Sequence, residues 1–158
     1  MRYLKSFNES IEIRGNSLKR DEIEDWEYIQ DIFFELTKTY WNIIKSNVST
    51  QERYQLNLSQ KNIEAFSLSR PGKTISGSFE PFKLKDIEYE LMGFLNYLGE
   101  RFICIKINHQ IQSRVSQTAI GTRTVKVTAK DLQKGLDSLD EMFRNIYYIH
   151  FYYESDVD

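Results

Sequence analysis

The chain reads as an α+β domain: a two-layer sandwich in which two or three helices cover one face of an antiparallel or mixed sheet. Three observations predict this. Residues 19–37, 84–98 and 128–143 place apolar side chains at three- and four-residue spacing, the mark of amphipathic helices. Runs rich in β-branched and aromatic residues at 40–48, 101–111 and 146–153 read as strands. A strand–helix–strand order at 121–153 repeats that of residues 76–108, 45 positions upstream.

The first helix is expected over residues 19–37, with Ile23, Trp26, Ile29, Phe33 and Leu36 on one side. Asp21, Glu22, Glu24 and Asp25 crowd its first turns, where the helix dipole favours negative charge. They read as a solvated face rather than a metal site. Residues 40–48 form a strand, and a second strand over 53–58 would close a hairpin with it. Short strands at 65–69 and 74–79 flank Arg70-Pro71-Gly72-Lys73, a tight-turn sequence. The second helix covers residues 84–98 and Gly99 ends it. Residues 101–111 follow as a strand with Ile103, Ile105 and Ile107 on one face. Residues 113–122 make a polar loop, and Val125 and Val127 alternate with Lys126 in the next strand. The third helix starts at Thr128, which Asp131 caps, and carries Ala129, Leu132, Leu136, Leu139 and Phe143 on its apolar stripe. The last strand is 146–153.

The 45-residue shift superposes Lys85-Asp86-Ile87 on Lys130-Asp131-Leu132. It also lays Leu84, Ile87, Leu91, Phe94 and Leu98 on Ala129, Leu132, Leu136, Leu139 and Phe143. Residues 19–36 with 40–48 read as a third, more diverged copy. The organisation expected is an N-terminal leader or extension at 1–18, one domain at 19–154 and an acidic tail at 155–158.

Composition narrows the function classes. A chain of 158 residues buries roughly 70% of its unfolded surface, enough to be stable without a metal or disulfide. The net charge of −2 argues against a generic nucleic-acid binder. No apolar run approaches the roughly 18 residues of a membrane span, so no membrane partner is expected. The single cysteine, Cys104, excludes an internal disulfide and fits a reducing compartment. It sits in the apolar run 102–107 and reads as buried and inert.

Chemical motifs are sparse. Gly72-Lys73-Thr74 resembles the end of a phosphate loop, but the required earlier glycine is Ser67. A two-histidine phosphoesterase places His-x-Thr or His-x-Ser on facing strands. Here Ile111 follows His109 and Tyr152 follows His150 at that spacing, so the hydroxyls are missing or poorly replaced. Two histidines and one cysteine at these spacings are no zinc signature. No catalytic residue, cofactor or metal is expected. The strand 146–153 remains: Tyr147, Ile149, Phe151 and Tyr153 point one way, and Tyr148, His150 and Tyr152 the other. Whichever face escapes the helices shows aromatic rings with polar tips, suited to a protein interface or to base stacking. Arg114 and Arg123 flank the loop leading to this sheet, and Arg70 and Lys73 sit on the other hairpin, as cations that could receive a phosphate.

Met1, Arg2, Leu4, Lys5, Phe7 and Glu9 form a pattern that resembles the leader of many small, uncharacterised proteins of large tailed bacteriophages. In some of these phages such leaders direct internal proteins into the prohead and are clipped after a glutamate. Phe7-Asn8-Glu9 departs from the usual Leu- or Ile-x-Glu cleavage pattern. The resemblance implies a non-enzymatic accessory protein of the infected host's cytoplasm that binds a host protein. Two alternatives stay open: a nucleotide-binding protein that sequesters a signal in host defence, and an internal virion protein packaged through its leader. A homo-oligomer also stays open.

Overall fold

A computed structural model of the chain describes residues 22–57, 62–72, 79–111, 121–143 and 145–155. Its strands are β1 (Asn42–Ser46), β2 (Ile63–Ser69), β3 (Phe102–Ile111), β4 (Gly121–Thr128) and β5 (Ile146–Glu154). They form one antiparallel sheet in the order β1-β2-β5-β3-β4. The last strand of the chain is thus the central one. Helical segments among the described residues are α1 (Glu22–Ile32), α2 (Phe34–Thr37), α3 (Thr50–Gln55), α4 (Glu88–Leu98), α5 (Ala129–Leu132) and α6 (Leu136–Met142). A 3-10 turn, Leu84–Ile87, leads into α4. All but α3 send apolar side chains to a common core on one face of the sheet.

That core centres on Phe66 of β2 and Phe151 of β5, stacked with ring centroids 4.6 Å apart. Phe33, from the α1–α2 junction, and Phe94 of α4 meet Phe66 at 5.5 and 5.2 Å in steep, edge-on geometry. All four rings are fully buried. Each such contact contributes about 0.5–1.5 kcal/mol beyond area burial. Truncating one ring would cost about 3–5 kcal/mol.

A polar clamp ties α1 to the far side of α4. Asp25 is buried, and Arg101 grips its carboxylate through Nη1 and Nη2 at 3.0 and 3.1 Å. The Tyr97 hydroxyl donates to the same carboxylate, and Arg101 also donates to the Glu154 carbonyl at 3.4 Å. The expectation of a solvated acidic face therefore fails at Asp25. Breaking a buried pair by removing one partner costs about 3–5 kcal/mol. The exposed Lys38–Glu35 pair contributes at most about 1 kcal/mol.

The hairpin expected over residues 40–58 is not formed. Ser49 and Glu52 make a reciprocal capping box, each side chain bonding the other's backbone N–H at 3.1 Å, and residues 50–55 turn into α3. The partner of β1 is β2 instead. On the second hairpin, Pro71 bridges Phe79 and the Glu80 N–H donates to the Arg70 carbonyl at 2.7 Å, so the chain does reverse there. The strand expected at 74–79 lies mostly outside the described residues.

Two bulges re-aim side chains. Ile103 is an extra residue on β3 between the pairs Phe102–Tyr153 and Cys104–Tyr152. It packs with Cys104 on the face away from the main core, unlike Ile105 and Ile107. Tyr147 is the extra residue on β5, and Ile146 takes the core position expected of it.

The helix and the following strand of each repeat unit are built, while the first strand of the upstream unit lies mostly outside the described residues. The Asp86 carboxylate accepts the Lys83 N–H at 2.9 Å, and Asp131 accepts the Thr128 N–H at 2.9 Å. Ile87, Leu91, Phe94 and Leu98 are buried, as are Leu132, Leu136, Leu139 and Phe143. Leu84 is buried while its counterpart Ala129 is exposed. The copies interlock: Asp140 of α6 accepts the Leu84 and Lys85 N–H groups at 2.8 and 3.2 Å. The helix expected over 128–143 is interrupted at Gly135, whose φ of 102° no helix contains. A Cβ there would touch nothing within 4 Å, so only backbone strain opposes a side chain. Gly135→Ala is therefore expected to destabilise the fold by about 1–3 kcal/mol in urea denaturation. A continuous helix would instead gain about 0.5–1 kcal/mol from the same change.

Candidate functional site

On the face of the sheet opposite the main core, three rows of side chains run across all five strands, one per level of pairing, with Ile63–Glu154 and Gln110–Thr122 as partial rows beyond them. The first is Asn42, Ser69, Tyr148, Asn108 and Thr124. The second is Ile44, Ser67, His150, Lys106 and Lys126. The third is Ser46, Ala65, Tyr152, Cys104 and Thr128. Residues paired across antiparallel strands project to the same side, so register alone assembles these rows.

The helix α3 closes over the third row. Leu56, at its C-terminal end, packs with Ile63, Ala65, Cys104 and Tyr152 in a small second core. Glu52 pins the helix down: one carboxylate oxygen accepts the Ser49 N–H and the other accepts the Tyr152 hydroxyl at 3.0 Å. Lys106 donates to the Gln55 side chain at 3.3 Å, and its ammonium lies 5.4 Å from the Tyr152 ring centre. Burial and the Glu52 carboxylate push the Tyr152 phenol far above its ordinary range. Burial raises the Cys104 thiol too, against the pull of Lys126 and Lys106. Cys104 is thus a packed, protonated thiol, as its apolar setting suggested.

No described element covers the other two rows. Ile44 is 57% exposed, Thr124 and Lys126 are exposed, and Ser67, Tyr148, His150 and Lys106 are half-buried. The Tyr148 ring stands edge-on to His150 at 5.2 Å and tilts towards the exposed Phe79 ring at 5.9 Å. Asn108 is buried and donates to the Thr124 hydroxyl at 3.3 Å.

The residues singled out from the sequence are only partly brought together. Tyr148, His150 and Tyr152 do share the face away from the helices, but α3 buries Tyr152. Arg123 is on the opposite face, paired with His109, which packs against Phe143 of the helix side at 4.8 Å. Arg70 turns to that side as well: its guanidinium lies 6.0 Å from the Trp41 ring centre and 3.5 Å from Glu80. Arg114 and Lys73 lie outside the described residues. The cations that accompany Tyr148 and His150 are Lys106 and Lys126. Strand parity could have found them, since each stands one residue from core-facing neighbours on both sides, Ile105 and Ile107 or Val125 and Val127.

The two histidines stand on opposite faces of the sheet and cannot grip one phosphate between them. Among the described residues, no group of three or more His, Cys, Asp or Glu is placed to hold a metal. A groove of about 490 Å³ between α4 and α5, lined by Met92, Leu95, Phe102 and Leu132, is mainly apolar, with Glu100 at its edge. No protein family, curated protein or solved structure matches the chain.

Burial holds both imidazoles below their ordinary range. The Gln110 carbonyl opposes this at His109 and the Glu52 carboxylate at His150, while Arg123 and Lys106 reinforce it. As pH falls through about 6.5 the unfolded chain takes up these protons first, so stability falls with them. The melting temperature is expected to hold above about pH 7 and to drop as pH approaches about 5.5. H109Q/H150Q should flatten that drop, and an unchanged slope would contradict it.

Proposed function

We propose that this protein is a non-enzymatic binding protein that captures a molecule of the infected host on the open part of its polar sheet face. The observation that carries the reading is the incomplete cover. Among the described residues the short helix α3 closes one row of the face; in the other two Ile44 is exposed and Tyr148, His150 and Lys106 are half-buried, while Ser69 and Asn108 are buried. Tyrosine and an exposed apolar residue beside cations suit partner surfaces, which are enriched in aromatics. The N-terminal pattern of Met1, Arg2, Leu4, Lys5, Phe7 and Glu9 supports a place among accessory proteins of tailed phages.

A tagged chain in infected-host lysate tests this, with captured proteins and co-purifying small molecules analysed in one sample. A partner held by the wild type should be lost by I44D and by H150A, both melting near the wild-type temperature. Ile44 is exposed, so its replacement leaves the core intact. A clean lane, or capture equal in all forms, would overturn the reading.

A further inference from the structure

Resting on the reading that this face is the working surface, we propose that its ligand is a small phosphate-bearing molecule with an aromatic ring, a nucleotide. Its phosphate would sit between Lys106 and Lys126, with the ring against Tyr148 and His150. The three rows that cross the whole sheet carry two lysines and one histidine and no carboxylate; Glu154 lies beyond them, at the level of Ile63. Glu52, which reaches in from α3, has both oxygens engaged by Ser49 and Tyr152. Glu52 keeps its single charge beside His150, so the cationic end of the face is the Lys106–Lys126 pair, whose row holds no carboxylate.

Lys106 and Lys126 are direct cross-strand partners. Like charges facing each other across a sheet are destabilising, and an anion between them relieves that cost. Both lysines also act on the Cys104 thiol, which places their charge on this side of the sheet. Lys106 is steadied by Gln55 and the Tyr152 ring, so one of the two cations is held in position before any ligand arrives.

The aromatic part follows from distance. Tyr148 is two strands and one row away from Lys126, about 12 Å between backbones. With the lysine reaching inward, that gap matches a base joined through a sugar to one phosphate. Tyr148, His150 and Phe79 supply rings of the kind on which bases stack. A nucleic-acid polymer fits less well, because it would meet the negative charge of the rest of the chain.

The test is a titration of the isotope-labelled full chain with AMP, adenosine, inorganic phosphate and a glutamate decapeptide, read by NMR and thermal shift. AMP should move the signals of Tyr148, His150 and Lys106 and raise the melting temperature. Adenosine and phosphate alone should each do so more weakly. K126E, at an exposed position, should weaken AMP by about tenfold or more while the free protein melts at the wild-type temperature or above it, since the change relieves the Lys106–Lys126 repulsion. No response to millimolar AMP, or AMP binding undiminished in K126E, would overturn the proposal. So would the decapeptide moving the same signals where AMP does not. If AMP fails while capture from lysate still depends on Ile44 and His150, the ligand class falls and the working face stands.

Discussion

Phe66 and Phe151 stack in the middle of the sheet, and the arrangement of the helices follows from that contact. Phe33 can reach Phe66 only if α1 turns at its C-terminal end, and Phe94 only if α4 crosses the same strands. The Asp25–Arg101–Tyr97 clamp then fixes the relative positions of α1 and α4 at their outer ends. Because Phe151 points into this core, strand geometry sends Tyr148, His150 and Tyr152 to the opposite side. The same contact that buries one face thus determines what the other displays.

The second face is treated quite differently. One row is sealed by α3 through Leu56, Glu52 and Gln55. The remaining rows keep a polar, cationic and aromatic character that costs stability where Lys106 faces Lys126. A purely structural surface would be expected to intersperse acidic groups there, as Glu64 does with Lys45 on the helix side.

Much of the architecture was legible because it is written in local periodicity. The stripes of α1 and α4 and the strand character of β3 and β5 follow from neighbouring residues. Long-range features were not legible. Asp25 looked solvated because its partner Arg101 is 76 positions away. The faces of Ile103 and Tyr147 depend on bulges, which leave no pattern in the chain. Gly135 leaves no mark in the periodicity because the apolar stripe continues through it, and Leu136 and Leu139 do reach the core after the break. The capping box Ser49–Glu52 was readable, but the strand-like run after it pointed to a hairpin. For the candidate site, the aromatic alternation of β5 was visible. Arg123 is not one of the accompanying cations, and its parity with Val125 and Val127 already assigns it to the helix side.

The central claim is that the sheet has one sealed face and one face that, among the described residues, only α3 covers in part. Paramagnetic relaxation by a soluble gadolinium chelate measures this directly, through the side-chain signals of a labelled chain. The His150 and Tyr148 rings and the Ile44 methyl groups should broaden strongly, while His109, Phe151 and Tyr152 stay sharp. Equal protection of His150 and His109, or broadening of Tyr152 together with Tyr148, would contradict the account.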